Sequence, residues 1–319
     1  MTSFEWWYDL GAGFVAPADL LAGSFHTRVG GYEATVLLPA LAHPGGLASF
    51  LAPPIVEAEP IDTRSEEWGT VYMVSNKHEP IGVIVRRLVL TADVDPGHLG
   101  EFVVARTLVD AMDGWWDNVR TWAEIVTGQR MTKFGSQAKT ASPKTTPIWR
   151  VSRHGSQREM ITYSSELPLT LDPVHGVDSD VLKDCLALAE VTPPLAWSFL
   201  CGARSLHEGA EYRRAVIDAA TAAELAITRL LDERSANDWE SITKMTLGRK
   251  ANKLKELDYP VPQSFFDNLV RKRNKAVHDG ETIDRVECDK AIVEAVNVIH
   301  DAYPLPRPPG RSQPIRRLW

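Results

Sequence analysis

The chain has 319 residues, of which 44% are hydrophobic and 24% charged, and a net charge of −7. This is the balance of a folded protein with room for two domains, and its apolar runs fall short of the ~20 residues that a membrane-spanning helix needs. The acidic total argues against a uniformly basic nucleic-acid binder, but the charge is uneven: residues 1–200 hold 15 Lys and Arg against 24 Asp and Glu, and residues 201–319 hold 20 against 18.

The N-terminal stretch MTSFEWWYDLG is acidic and aromatic. It lacks a basic segment followed by an apolar one, so no secretory signal is expected. EATVLLPAL, GTVYMVSN and GVIVRRLVLTADV are rich in β-branched residues and bounded by Gly or Pro, which predicts strands. GEFVVARTLVDAMDGWWDNVRTWAEIVTG has helical spacing, with a break predicted near Asp113-Gly114. Lys133 to Pro147 is polar and rich in Ser, Thr and Pro, which predicts a mobile loop. PIWRVSRHG and REMITYSS then look like a hairpin. These elements predict an N-terminal α+β domain over 1–166 that senses or binds something, with the pairs Trp6-Trp7 and Trp115-Trp116 as core or as an aromatic pocket. Turn formers over 167–180 predict a linker.

From there the pattern is helical. Asp178 or Ser179 is placed to cap a short helix, and Pro193-Pro194 suits the first turn of the next. Glu208–Arg234 is predicted as one long helix with an apolar stripe of Val216, Ala220, Ala223, Ile227 and Leu230. Shorter helices follow over Leu247–Leu257 and from Phe265 to about His278, with Gly280 as the C-cap. Asp284 starts a last helix with the stripe Cys288, Ile292, Ala295, Ile299 and Tyr303. The expectation is a multidomain α+β protein: a β-rich mixed domain, then an all-α bundle over 181–303. A Pro- and Arg-rich tail, 304–319, is expected to lie extended.

Catalytic motifs are scarce. There is no GxxxxGK[ST], no GxGxxG and no GxSxG. His26, His43, His78, His98, His154 and His175 show no HxH or HxxxH spacing, and Cys185, Cys201 and Cys288 show no CxxC spacing. No metal or cofactor is therefore expected, and buried reduced thiols point to the cytoplasm.

The informative stretch is VRKRNKAVHDG, Val270–Gly280. Phe266, Val270, Arg273 and Val277 fall at helical steps, which puts Arg273 on the apolar stripe, where a guanidinium needs an anion. Glu224 on the long helix is the candidate carboxylate for a structural strut, and a phosphate is the functional alternative. Arg273 and His278 are five apart, about 140° around an α-helix. They meet if the helix turns back near Val277, if the Arg side chain reaches around, or if two subunits bring them together. Asn274 and His278 share a face. Two basic groups, with Lys250 and Lys253 in one and Arg271, Lys272 and Lys275 in the other, could form a positive surface or merely solvated faces.

Arg273-Asn274-Lys275-Ala276-Val277-His278 near the end of a helix in a helical bundle resembles the R-N-x-x-x-H signature of the HEPN superfamily, over roughly residues 195–303. The Ala-rich upstream helix with its Glu224 is similar to the family's long helix. The joining of a β-rich N-terminal domain to such a bundle is similar to the Apea-like group. The resemblance implies a homodimeric, metal-independent endoribonuclease that leaves 2′,3′-cyclic phosphates: His278 as acid/base, Arg273 as phosphate clamp, Asn274 and Glu224 as supports. It further implies a toxin or abortive-infection effector of antiviral defence, gated by an unknown trigger or antitoxin. A non-catalytic dimerisation or nucleotide-binding module, and one component of a toxin–antitoxin pair, remain open as alternatives.

Overall fold

A computed structural model describes residues 2–42, 50–54, 68–74, 77, 79–95, 97–129, 131, 144–151, 158–166, 175–234, 242–280 and 282–318. The strands are β1 (Thr2–Pro17), β2 (Ser24–Val29), β3 (Tyr32–Leu37), β4 (Ala40–Leu41), β5 (Leu51–Ala52), β6 (Gly69–Val74), β7 (Pro80–Val94), β8 (Lys144–Val151) and β9 (Arg158–Glu166). The helices are α1 (Glu101–Thr127), α2 (Ser179–Ala187), α3 (Leu195–Glu208), α4 (Tyr212–Arg234), α5 (Leu247–Glu256), α6 (Phe265–Val270, Arg271–Asn274 and Lys275–Asp279 in one run) and α7 (Arg285–Ala302). The N-terminal region is thus rich in strands and the later region helical. None of the described helices is long and apolar enough to cross a membrane.

β7 organises the first region. Along one edge it pairs antiparallel with β1, and along the other with β6 and then β3, which pairs with β2. β1 was not legible as a strand because it is interrupted: the register jumps between Asp9 and Phe14. Gly13, at φ +77°, sits in that bulge. A Cβ there would lie 2.3 Å from the Val85 carbonyl oxygen, so only glycine fits. β8 and β9 form the predicted hairpin. The loop predicted over Lys133 to Pro147 lies partly outside the described residues. From Lys144 on, it is strand instead.

α1 packs on the sheet as one unbroken helix of 27 residues, without the break predicted at Asp113-Gly114. Met112, Trp115, Trp116, Val119 and Trp122 are buried along one stripe, and this packing outweighs the low helix propensity of Gly114. The buried indoles also tie elements together. Trp115 Nε1 donates to Thr27 Oγ1 (3.0 Å), which donates to the Leu186 carbonyl (3.1 Å), and Trp122 Nε1 donates to the Val191 carbonyl (2.8 Å). Trp6 is partly buried against the core and Trp7 is half-exposed.

These bonds move the boundary expected between the domains. α2 packs on α1 and β2, so it belongs to the first region rather than opening the bundle. The described end of the 167–180 linker is also tied down: Val177 is buried, and its N–H donates to the Val15 carbonyl (2.8 Å). In the helical region α4 is central, against α3, α5, α6 and α7. Its stripe Val216, Ala220, Ala223, Ile227 and Leu230 is buried as predicted. The helix begins at Tyr212 rather than Glu208, because Ala210 at φ +60° ends α3 in a turn. α7 opens on the Asp284–Glu287 capping box.

The 304–319 tail packs on α1 and α2 of the first region, and Arg317 lies over the Trp197 ring of α3 (5.4 Å). Ile315 is buried, Arg311 pairs with Asp184 (2.9 Å) and Asp180 (3.0 Å), and the Leu318 N–H donates to the Val126 carbonyl (2.8 Å).

Glu124 is a carboxyl buried in this interior. Burial pushes its carboxyl up to about 7, against the opposing pull of Arg120. An acid raised in the folded state binds more protons there than in the unfolded chain, so stability falls as pH rises from about 4.5 to 7. The loss amounts to about 3 kcal/mol. Glu124→Gln is expected to flatten this dependence and raise the melting temperature at pH 8. Parallel pH–melting curves for the variant and wild type would contradict it.

Candidate functional site

Arg273, Asn274 and His278 lie on α6, and the geometry of that helix differs from the expectation. Phe265, Leu269 and Ala276 are its buried anchors, one residue out of step with the predicted stripe Phe266, Val270, Arg273 and Val277. Val277 is 39% exposed. The cause is π-type winding on both sides of Arg271–Asn274: the Arg271 N–H donates to the Phe266 carbonyl and the Gly280 N–H to the Lys275 carbonyl, each five residues back. Such turns are underwound. Positions five apart, such as Arg273 and His278, therefore stand closer around the axis than the 140° of an α-helix. Gly280 ends the helix at φ +66°, as predicted for a C-cap.

Arg273 is half-exposed, not buried, and its Nη1 donates to Asn274 Oδ1 (3.2 Å). Asn274 and His278 are exposed. The strut weighed as the structural alternative, Arg273 on Glu224, does not form. Glu224 Oε1 is taken by Lys250 Nζ at 2.8 Å, and that ammonium also donates to Thr228 Oγ1 (3.1 Å). Lys250 is 5% exposed, which corrects its expected place among RNA-facing cations: a buried ammonium that satisfies two acceptors of α4 is a structural group.

The other predicted cations divide. Arg271 pairs along its own helix with Asp267 (2.8 Å), an exposed pair of small energetic weight. Lys272 bonds Glu287, which also caps α7, so it fastens α6 to the next helix. Lys275 is partly buried on the last turn. Lys253 pairs with Glu256 (3.4 Å) and lines a groove of about 490 Å³ with Lys244, Arg249 and Asn252.

One residue beside the motif escaped sequence reasoning. Arg213, in the first turn of α4, donates from Nε to the Ala276 carbonyl at 2.7 Å. The last carbonyls of a helix lack intrahelical partners, and this bond satisfies one of them while fixing the turn that carries His278. The available signal was the Arg213-Arg214 pair opening an otherwise Ala-rich helix.

Arg273, Asn274 and His278 thus share the solvent-facing end of a helix anchored by Lys272 on one neighbour and Arg213 on the other. A half-buried guanidinium can hold an anion, and an exposed imidazole on the same helix can move a proton. No family model, no curated protein and no solved structure matches the chain.

Proposed function

We propose that the protein is a metal-independent endoribonuclease of the HEPN type, and that Arg273, Asn274 and His278 do its chemistry. The observation that carries this reading is the partner exchange at Glu224. A structural Arg273 would be a buried strut on that carboxylate, yet Lys250 holds it and Arg273 lies beside Asn274 towards solvent. A half-buried guanidinium with no carboxylate partner among the described residues, on a turn braced by Arg213 and Lys272, suits a phosphate clamp.

In this mechanism Arg273 binds the scissile phosphate and offsets the charge that builds on its oxygens. His278 accepts the proton of the adjacent ribose 2′-hydroxyl. The 2′-oxygen bonds to phosphorus as the bond to the 5′-oxygen of the next nucleotide breaks. A proton returns to that oxygen from an imidazolium, which is His278 itself or its counterpart in a second copy of the chain. The products are a 2′,3′-cyclic phosphate and a 5′-hydroxyl. Asn274 orients the guanidinium through its 3.2 Å bond, and Lys253 and Lys275 draw RNA towards the helical region. Glu224 supports from a distance, by holding Lys250 and with it the packing of α5 on α4. A homodimer through the helical region, gated by a trigger or antitoxin in a defence role, completes the proposal.

Incubation of the purified protein with total RNA and a tRNA pool in EDTA, with mapping of fragment ends, tests it. Cyclic phosphates and 5′-hydroxyls are the expected ends. Cleavage that needs a divalent ion and leaves 5′-phosphates would overturn the proposed chemistry.

A further inference from the structure

The groove of about 490 Å³ that Lys253 lines runs over the outer face of α5. Arg249, Asn252, Lys253 and Glu256 fall at helical steps of three, one and three, so they share that face, and Lys244 and Met245 of the preceding turn complete the lining. The opposite stripe of α5, with Leu247, Ala251 and Leu254, is buried, and Lys250 beside it is turned inward to Glu224. The groove holds three cations against one carboxylate. That carboxylate, Glu256, is exposed and 3.4 Å from Lys253, a contact of small weight. Arg249 is exposed and has no carboxylate partner among the described residues.

The surroundings decide what kind of anion fits. A membrane-docking helix or a protein hot spot presents exposed apolar anchors beside its cations. Among the described residues, none of the exposed large hydrophobics lies between 242 and 261. No aromatic ring lines the groove, so it has no platform on which a base can stack. It presents a row of hydrogen-bond donors with an excess of positive charge. That matches the phosphates of a nucleic-acid strand, held without regard to base sequence.

The groove also stands apart from the candidate site. Lys250 fixes α5 at Glu224 of α4, whereas Arg213 at the start of α4 holds the turn that carries His278. These two anchor points are about 16 Å apart along α4, at roughly 1.5 Å per residue. A stacked strand covers that distance in about five nucleotides, at roughly 3.4 Å each.

We propose that this groove anchors the phosphate backbone of single-stranded RNA at a distance from the bond that is cut, with Arg249 and Lys253 as its principal contacts. The identity of the strand as RNA rests on the nuclease reading. The charge and shape of the groove do not.

Fluorescence anisotropy of the full chain with a labelled 2′-O-methyl RNA of about 12 nucleotides in EDTA tests binding apart from cleavage, because the proposed chemistry leaves that strand uncut. A single strand gives a slope of about −0.7 per phosphate contact for log affinity against log salt, so three cations predict a slope near about −2. Arg249→Gln with Lys253→Gln is expected to weaken binding at least about tenfold at about 50 mM salt and to flatten the slope by about 1.4. The melting temperature should not change, because both side chains reach solvent. Lys255→Gln, exposed on the same helix but outside the groove, should change affinity less than about twofold. No binding by folded wild type, undiminished binding by the double variant, or equal weakening by Lys255→Gln would overturn the groove. Equal competition by a polyglutamate peptide would mark an indiscriminate cationic patch and overturn the RNA assignment. With a cleavable strand, the double variant is expected to raise KM at least about tenfold with kcat little changed, and a fall in kcat alone would overturn the anchoring role. Strand binding by a wild type that cuts nothing would instead remove the nuclease reading and leave the groove standing.

Discussion

His278→Ala is expected to lower RNA cleavage by about 10²- to 10⁴-fold, the range that positioned acid–base groups contribute, and to leave the melting temperature unchanged. The second half of that expectation follows from exposure: the imidazole is on the surface, and its loss opens no cavity. Arg273→Ala should behave similarly, with about a 10²- to 10³-fold loss for a cation that stabilises developing charge. Arg273→Lys is expected to recover little, because an ammonium cannot reproduce the fork of a guanidinium. Thermal melting beside cleavage rates separates this from a structural role. A strut predicts a lower melting temperature for both variants, and that result, with proportional loss of activity, would sink the assignment.

Lys250→Met is expected to do the reverse: destabilise the fold and leave RNA affinity per folded molecule unchanged. The ammonium is buried, and its removal leaves Glu224 without its counter-charge inside the α4–α5 contact. Breaking a fully buried pair costs about 3–5 kcal/mol. The Glu224 side chain is 32% exposed, so water offsets part of that and about 2–3 kcal/mol is expected. For a chain of this length that corresponds to a fall of roughly 3–5 °C in melting temperature. Adding Glu224→Leu to Lys250→Met should restore much of the loss, because the orphaned carboxylate goes with it. Weaker RNA binding with an unchanged melting temperature would return Lys250 to the RNA-facing set.

The elements legible in the sequence were those whose side chains follow one period. β7 is a continuous β-branched run paired on both edges, and the stripes of α4 and α7 repeat at three and four, so local pattern and burial agree. β1 was illegible because a glycine bulge breaks its alternation. The break predicted in α1 failed because two tryptophans beyond Gly114 pack the helix through it. The site was half legible. The residue types and their spacing marked Arg273, Asn274 and His278, but an α-helical period cannot reveal π turns. The stripe was therefore assigned one residue off and Arg273 was placed in the interior. Pairing was the other blind spot. Arg273 and Lys250 are equally plausible partners for Glu224 on paper, and only the packing of α5 on α4 decides for Lys250. Arg213 bonds a backbone carbonyl 63 residues away, and such a contact leaves no periodic trace.

In the proposed mechanism the 2′-hydroxyl of RNA is the nucleophile and the Arg273–His278 turn activates it. Cleavage in EDTA of an RNA found to be a substrate, beside the same sequence carrying 2′-O-methyl groups, tests this most directly. Wild type is expected to cut the ribose form and leave the methylated form intact, and His278→Ala to cut neither. Equal cutting of both forms, or cutting of the ribose form by His278→Ala at the wild-type rate, would contradict it.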